Sequence, residues 1–289
     1  MDQINRAEKK HQAVGHFNIG NLEMLKGVFA AACRLSLPVV IGLSEGERKF
    51  VGDRQAAALV KCFREEYGHP IYLNADHTKT IAGVREAVEA GFDAVIFDGS
   101  ELTIEENIKY TKEAVELAKG LNDRVVIEGE IGYIGRSSTV FDEIPENALV
   151  GKDELVTAEE ASRFVKATGV DLLAPAVGNV HGMLAGAENP DLDIERVAEI
   201  REACGVPLVL HGGSGIKHSD MKEAIAAGMP LVHVSTELRV AYRQALEEVL
   251  MNNKKELAPY RLLTPAVDAV TEVALKSFEL FNRETEDQV

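Results

Sequence analysis

The apolar run Ile71-Tyr72-Leu73 ends in the segment LNADHT, residues 73–78, with an acid and an imidazole side by side, Asp76 and His77. A carboxylate can move protons and an imidazole can hold a metal, so the pair suits a site built at the mouth of a buried strand. Two more apolar runs lead into histidines: His181 in VGNVHG and His211 in LVLHGGSG. A fourth, His233, stands just before Ser235 and Thr236. Three imidazoles that converge and leave one position open make a catalytic zinc site. A buried histidine can equally be structural, and spacing alone leaves both readings open.

The HGGSG run has a second use. Glycines let a backbone approach an anion closely, so Gly213 and Ser214, followed on the next strand by Ser235 and Thr236, suit a phosphate cradle. A plain tight turn is the alternative. No lysine lies in the predicted strands that follow residue 125; Lys79 and Lys217 fall in loops. A carbonyl substrate would therefore be activated by a metal and not as an imine.

The elements that position these residues show in a recurring unit. A helical stretch ends at a glycine, then comes one residue, Asp or Pro, and a short apolar run. The unit appears as YGHPIYL, AGFDAVIF, TGVDLLA, CGVPLVL and AGMPLVHV, and without the glycine as LSLPVVIGL. Adding AVGHFNI at 13–19 and VVIEGEIG at 125–132 makes eight strands alternating with helices. Runs apolar on both faces are those of buried parallel strands. Eight such units predict an α/β fold, a (β/α)8 TIM barrel, with residues 1–289 as one domain and a mainly helical C-terminal segment over 236–289. A doubly wound sheet competes, but no GxGxxG follows the first strand. The strand ends then present Asn18, Ser44, Asp76 with His77, Asp98 with Ser100, Glu128 with Glu130, His181, His211, and His233 with Ser235 and Thr236. Adjacent side chains of a regular strand face opposite ways, so Asp76 and His77 can share a site only if the backbone is irregular at 75–78.

Bulk properties narrow the class. The chain has 289 residues, 46% hydrophobic, with a formal net charge of −16. That charge argues against nucleic acid or an anionic membrane as partner. No apolar run approaches a membrane span, and the polar start MDQINRAEKKHQAVG has no signal-peptide core, so a cytoplasmic location is expected. Cys33, Cys62 and Cys204 are scattered and odd in number, as in a reduced protein.

Taken together, AVGHFNIGNLEM, LNADHTKT, GFDAVIFDGSELTIEENI, IEGEIGYIG, GNVHG and LVLHGGSGI, running on to VHVSTELR, resemble the class II, metal-dependent fructose-bisphosphate and tagatose-bisphosphate aldolases. The resemblance implies zinc, or another divalent metal, held by His77, His181 and His211, with Glu130 near an alternative metal position. It makes Asp76 the acid/base for the substrate's C4 hydroxyl, its pKa expected to rise through burial. Gly182, Gly213, Ser214, Ser235 and Thr236 would bind the phosphate on the dihydroxyacetone side, with a monovalent cation nearby. Ser44 would lie by the other phosphate, and Asn18 would support the site. A mobile loop after strand five, 134–156, would bring an acid/base from Glu143, Glu146 or Glu154.

Two departures stand out. His233 replaces an asparagine that hydrogen-bonds the bound triose in the family, and is expected to contact substrate. Val267 replaces a frequent arginine, so Arg261 or Arg239 is expected at the far phosphate. The implied function is cleavage of fructose 1,6-bisphosphate, or alternatively of tagatose bisphosphate or another sugar phosphate, by a homo-oligomer. A non-catalytic sugar-phosphate-binding barrel is disfavoured, because binding alone would not need Asp76.

Overall fold

The computed structural model describes residues 1–135, 139–143 and 155–282. Its strands in chain order are β1 (Val14–Asn18), β2 (Val39–Leu43), β3 (Ile71–Thr78), β4 (Ala94–Asp98), β5 (Val126–Ile131), β6 (Val140–Phe141), β7 (Leu172–Pro175), β8 (Met183–Leu184), β9 (Val209–Leu210) and β10 (Leu231–Val234). Eight of them form one sheet in the order β7-β5-β4-β3-β2-β1-β10-β9, every pairing parallel. A single parallel bridge, Leu173 to Leu208, joins β7 to the residues entering β9 and brings the sheet close to a closed TIM barrel. The eight strands are those the apolar runs predict.

The helices are α1 (Asp2–Glu8), α2 (Leu22–Leu35), α3 (Glu45–Val51), α4 (Asp53–Tyr67), α5 (Ile81–Ala90), α6 (Ile104–Leu121), α7 (Ala158–Thr168), α8 (Ile194–Cys204), α9 (His218–Ala227), α10 (Thr236–Asn252) and α11 (Pro259–Asn282). Their starts carry the expected chemistry: Thr103 with Glu106 and Thr157 with Glu160 are reciprocal capping boxes at α6 and α7. Their ends do too, since Gly91 and Gly169 take the left-handed conformation that stops α5 and α7. The core lies between strands and helices. Phe17 of β1 meets Phe278 of α11 edge-on at 5.0 Å, tying the C-terminal helix to the barrel. No helix among the described residues is long and apolar enough to cross a membrane.

Two elements escape sequence reading. The polar N-terminus forms α1, which buries Ile4 against Val14, Val40, Leu172 and Leu231 at the N-terminal end of the barrel. Two apolar residues in seven, Ile4 and Ala7, give too little periodicity to reveal a helix. β6 and β8 pair as a two-residue ladder, too short for an alternating pattern to register.

β3 carries the irregularity that its Asp-His pair requires. Ala75 pairs with Val95, and Thr78 with Phe97, so one extra residue is accommodated on β3. His77 takes the strain, with φ at 48°. Arg48 of α3 holds this bulge: it reaches Thr78 Oγ1 at 3.2 Å and the Gly83 carbonyl at 3.1 Å, and pairs with Asp53 at 2.6 Å. Arg48 is buried, so Arg48→Met should leave Asp53 and Thr78 short of a partner. We expect a loss of about 3 kcal/mol, near the low end for breaking a buried pair. For a chain of this size that is a fall in Tm of roughly 5–10 °C by calorimetry.

Candidate active site

The C-terminal ends of the strands bring His77, His181 and His211 together, with ligand nitrogens within 4.8 Å of one another. Each ring has one nitrogen committed elsewhere. His211 Nε2 contacts Glu128 Oε1 at 2.7 Å, and its Nδ1 is buried without a hydrogen-bond partner among the described residues. His181 Nδ1 contacts the Gly135 carbonyl at 3.0 Å. His77 Nδ1 faces Asp98 Oδ2 at 3.1 Å. With those nitrogens protonated, the other nitrogen of each ring is left as a lone pair for a cation. Three imidazoles with oriented tautomers and an orphaned buried nitrogen fit a divalent metal of the zinc type.

Glu130 sits beside this triad. Its Oε2 lies 3.1 Å from His77 Nδ1 and 3.6 Å from His211 Nδ1, yet lacks a hydrogen bond of good geometry. With His77 and Asp98 it forms a second group of convergent donors. A third group, His16, Asp76 and His233, cannot chelate in the same way. The rings of His16 and His233 are stacked at 3.5 Å and 5°. Imidazole lone pairs lie in the ring plane, so parallel rings direct them side by side and not toward one ion about 2.0 Å away.

Asp76 is buried beside the triad. Asn18 Nδ2 donates to its Oδ2 at 2.7 Å, and also reaches Glu47 at 3.1 Å. Among the described residues Asp76 Oδ1 has no hydrogen-bond partner; His233 Nδ1 lies 3.6 Å away and His77 Nε2 3.8 Å. Burial pushes the Asp76 carboxyl up, as the sequence predicts, but His77, His233 and His16 outweigh it and hold it well below the usual range. That sign could not be foreseen without knowing which imidazoles face the acid. The converse holds for His77. Burial opposes its protonation, yet Asp76, Glu130 and Asp98 raise it well above the usual value. Burial pushes His181 down to about 4. Burial also opposes protonation of His211, but Glu130 and Glu128 raise it, while burial pushes Glu128 up.

Two lobes open around these groups. The smaller, about 20 Å³, is lined by Gly182, Gly212, Ser214, Ser235 and Thr236 with Asn18, Asp76, His77, His181 and His233. It lies at the start of α10, where helix N–H groups favour an anion, and Ser235 Oγ is buried there without a partner. The larger, about 250 Å³, is lined by Ser44, Lys79, Asp98, Ser100, Glu101, Tyr133 and Arg239, and shares Asn18, Asp76, His77 and His181. Its cations are already paired, Arg239 with Glu47 at 2.7 Å and Lys79 with Glu101 at 2.8 Å.

Several expected residues lie elsewhere. The Gly213 N–H donates to the His233 carbonyl at 2.9 Å, so it closes the turn and is not available to phosphate; Gly212 lines the lobe in its place. Arg261 is exposed, pairs with Glu256 at 3.2 Å and lines neither lobe. It opens α11, and the loop before that helix keeps it with Glu256. Glu143 is exposed and lines neither lobe, and Glu146 and Glu154 lie outside the described residues. His16 escaped sequence reading. The signal was the two-residue period from Asn18 on the same strand, which puts His16 on the same face.

The family model for class II fructose-bisphosphate aldolase matches residues 1–286. A Bacillus subtilis protein named "Probable fructose-bisphosphate aldolase" is 34% identical over 283 residues, 97% of this chain and 95% of the relative. The fructose-bisphosphate aldolase of Geobacillus stearothermophilus is 34% identical over 273 residues, 93% and 91% of the two chains. Among solved structures, the YdjI aldolase of Escherichia coli K12 superposes with a TM-score of 0.79 at 31% identity, covering 97% of this chain and 95% of that one. The match spans the barrel, the histidine triad and the C-terminal helices alike, and the chain belongs to the class II fructose-bisphosphate aldolase family, whose members are metal-dependent lyases acting on phosphorylated sugars.

Proposed function

We propose that this aldolase uses zinc to cleave fructose 1,6-bisphosphate reversibly into dihydroxyacetone phosphate and glyceraldehyde 3-phosphate. The observation that carries the reading is Asp76 Oδ1, a buried carboxylate oxygen without a hydrogen-bond partner beside three imidazoles with lone pairs to offer. A structural carboxylate would be saturated; this one is held by Asn18 through its other oxygen only.

His77, His181 and His211 hold the metal, and Glu130 offers a donor for a displaced position. Zinc, when bound, stabilises the negative charge that develops on the ketone half as the carbon–carbon bond breaks. Asp76 Oδ1 takes the proton from the C4 hydroxyl and returns it in condensation. Asp76 accepts that proton as the ionised carboxylate. Gly182, Gly212, Ser214, Ser235 and Thr236 receive the phosphate of the dihydroxyacetone half, with His233 against the triose. Ser44 and Arg239 meet the far end of the sugar, Arg239 taking the part expected of Arg261. A monovalent cation beside the near phosphate rests on the family resemblance.

Exposed apolar side chains gather where α10 gives way to α11, with Leu250, Met251, Leu257 and Tyr260 all more than half exposed. This supports association of several copies of the chain.

A second reading is a different phosphorylated ketose, tagatose 1,6-bisphosphate first. Within that reading the far lobe, where Glu47 and Glu101 already pair with the two cations, favours a ketose that lacks the far phosphate. Coupled detection of triose phosphate from both bisphosphates, before and after chelation, separates the readings. We expect faster cleavage of the fructose substrate, lost with EDTA and regained with zinc. Cleavage of the tagatose substrate alone would transfer the chain to the second reading.

A further inference from the structure

We propose that His16 is a positioning residue for His233, and that the stacked pair sets the nitrogen of His233 that meets the bound triose. The inference rests on the proposed reading of the smaller lobe as the dihydroxyacetone phosphate site.

His16 and His233 are directly paired in register across β1 and β10. Their rings stack at 3.5 Å, and His233 also stacks against His211 at 4.3 Å and 25°. His233 is thus held between a metal-binding ring and His16, and rotation of its ring out of that slot is blocked on both sides. Within the slot its Nδ1 lies 3.6 Å from Asp76 Oδ1, while its Nε2 is buried and unpartnered. With the ring proton on Nδ1 toward Asp76, Nε2 is an acceptor; left unpaired in a buried place it is costly, and a hydroxyl of the triose in the lobe that His233 lines would satisfy it.

His16 has no route of its own to the substrate. It is fully buried and lines neither lobe. It is itself fixed: Asn74 Nδ2 lies 3.1 Å from His16 Nε2. Its place exists because residue 42 is glycine. A Cβ there would come within 2.1 Å of His16 Cε1. Gly42 has ordinary backbone angles, so it is kept for close approach and not for φ. Gly42, Asn74 and His16 together give the His233 ring its lateral support.

A double-mutant cycle tests this. His16→Gln, His233→Leu and the double variant are loaded with zinc, and dihydroxyacetone phosphate binding is measured by calorimetry beside KM and kcat for cleavage. Each single variant should weaken triose phosphate binding about tenfold and raise KM more than it lowers kcat. The double variant should bind no worse than His233→Leu alone, because His16 acts only through His233. Losses that multiply, or His16→Gln binding like the wild type, would overturn the proposal. So would loss of zinc from His16→Gln, which would make His16 a support of His211. If His16→Gln does not fold, Asn74→Ser enters the cycle in its place, with the same expected absorption by His233→Leu. The wild type is measured first. If it fails to bind dihydroxyacetone phosphate, the substrate reading falls, and the cycle is run on the ketose phosphate that the protein does cleave.

Discussion

Asp76→Asn is expected to lower kcat for carbon–carbon cleavage about 10³-fold, within the range for loss of a general acid/base, while leaving zinc content unchanged. The substitution keeps the size of the side chain, and its carbonyl oxygen can still accept from Asn18, as Asp76 Oδ2 does at 2.7 Å. What disappears is the proton acceptor, Oδ1, which has no other hydrogen bond to lose. KM should move little, since the phosphate cradle is untouched. Steady-state cleavage with metal analysis of the same sample is the measurement. A kcat within tenfold of the wild type would remove Asp76 from proton transfer and turn attention to the segment after β5. Asn18→Ala gives the graded counterpart, because it frees Asp76 to rotate without deleting the base.

His211→Ala should abolish both zinc binding and cleavage. It removes the unpartnered Nδ1 and also strips Glu128 of its 2.7 Å partner in the barrel core. A buried carboxylate left alone is strongly unfavourable, so folding should suffer as well. Glu128→Gln separates the two effects. An amide can still accept from His211 Nε2 but orients it less firmly, and loss of such a supporting partner weakens metal binding about 10–100-fold. Competition with a calibrated chelator reads that shift without reference to activity. Unchanged zinc affinity in Glu128→Gln would mean that the ring is aligned by packing against His77 and His233 instead.

Much of this protein is legible locally. Five of the eight barrel strands are apolar runs announced by a glycine and an Asp or Pro, and burial on both faces makes that pattern independent of distant residues. The bulge in β3 followed from two adjacent residues that one site must share, and the structure has it between Ala75 and Thr78, with His77 at positive φ. The histidines at 77, 181 and 211 were visible because strand ends in a barrel all point to one face. Tertiary structure decided what depends on approach between strands far apart in the chain. The sign of the Asp76 shift depends on His77, His233 and His16 all facing one carboxylate. The Gly213 N–H is consumed by a carbonyl twenty residues on, and Arg261 is held by Glu256 away from the sugar lobes. The His16–His233 stack needs the registers of β1 and β10 and the missing Cβ of Gly42 together, a coincidence of three segments that no local pattern encodes.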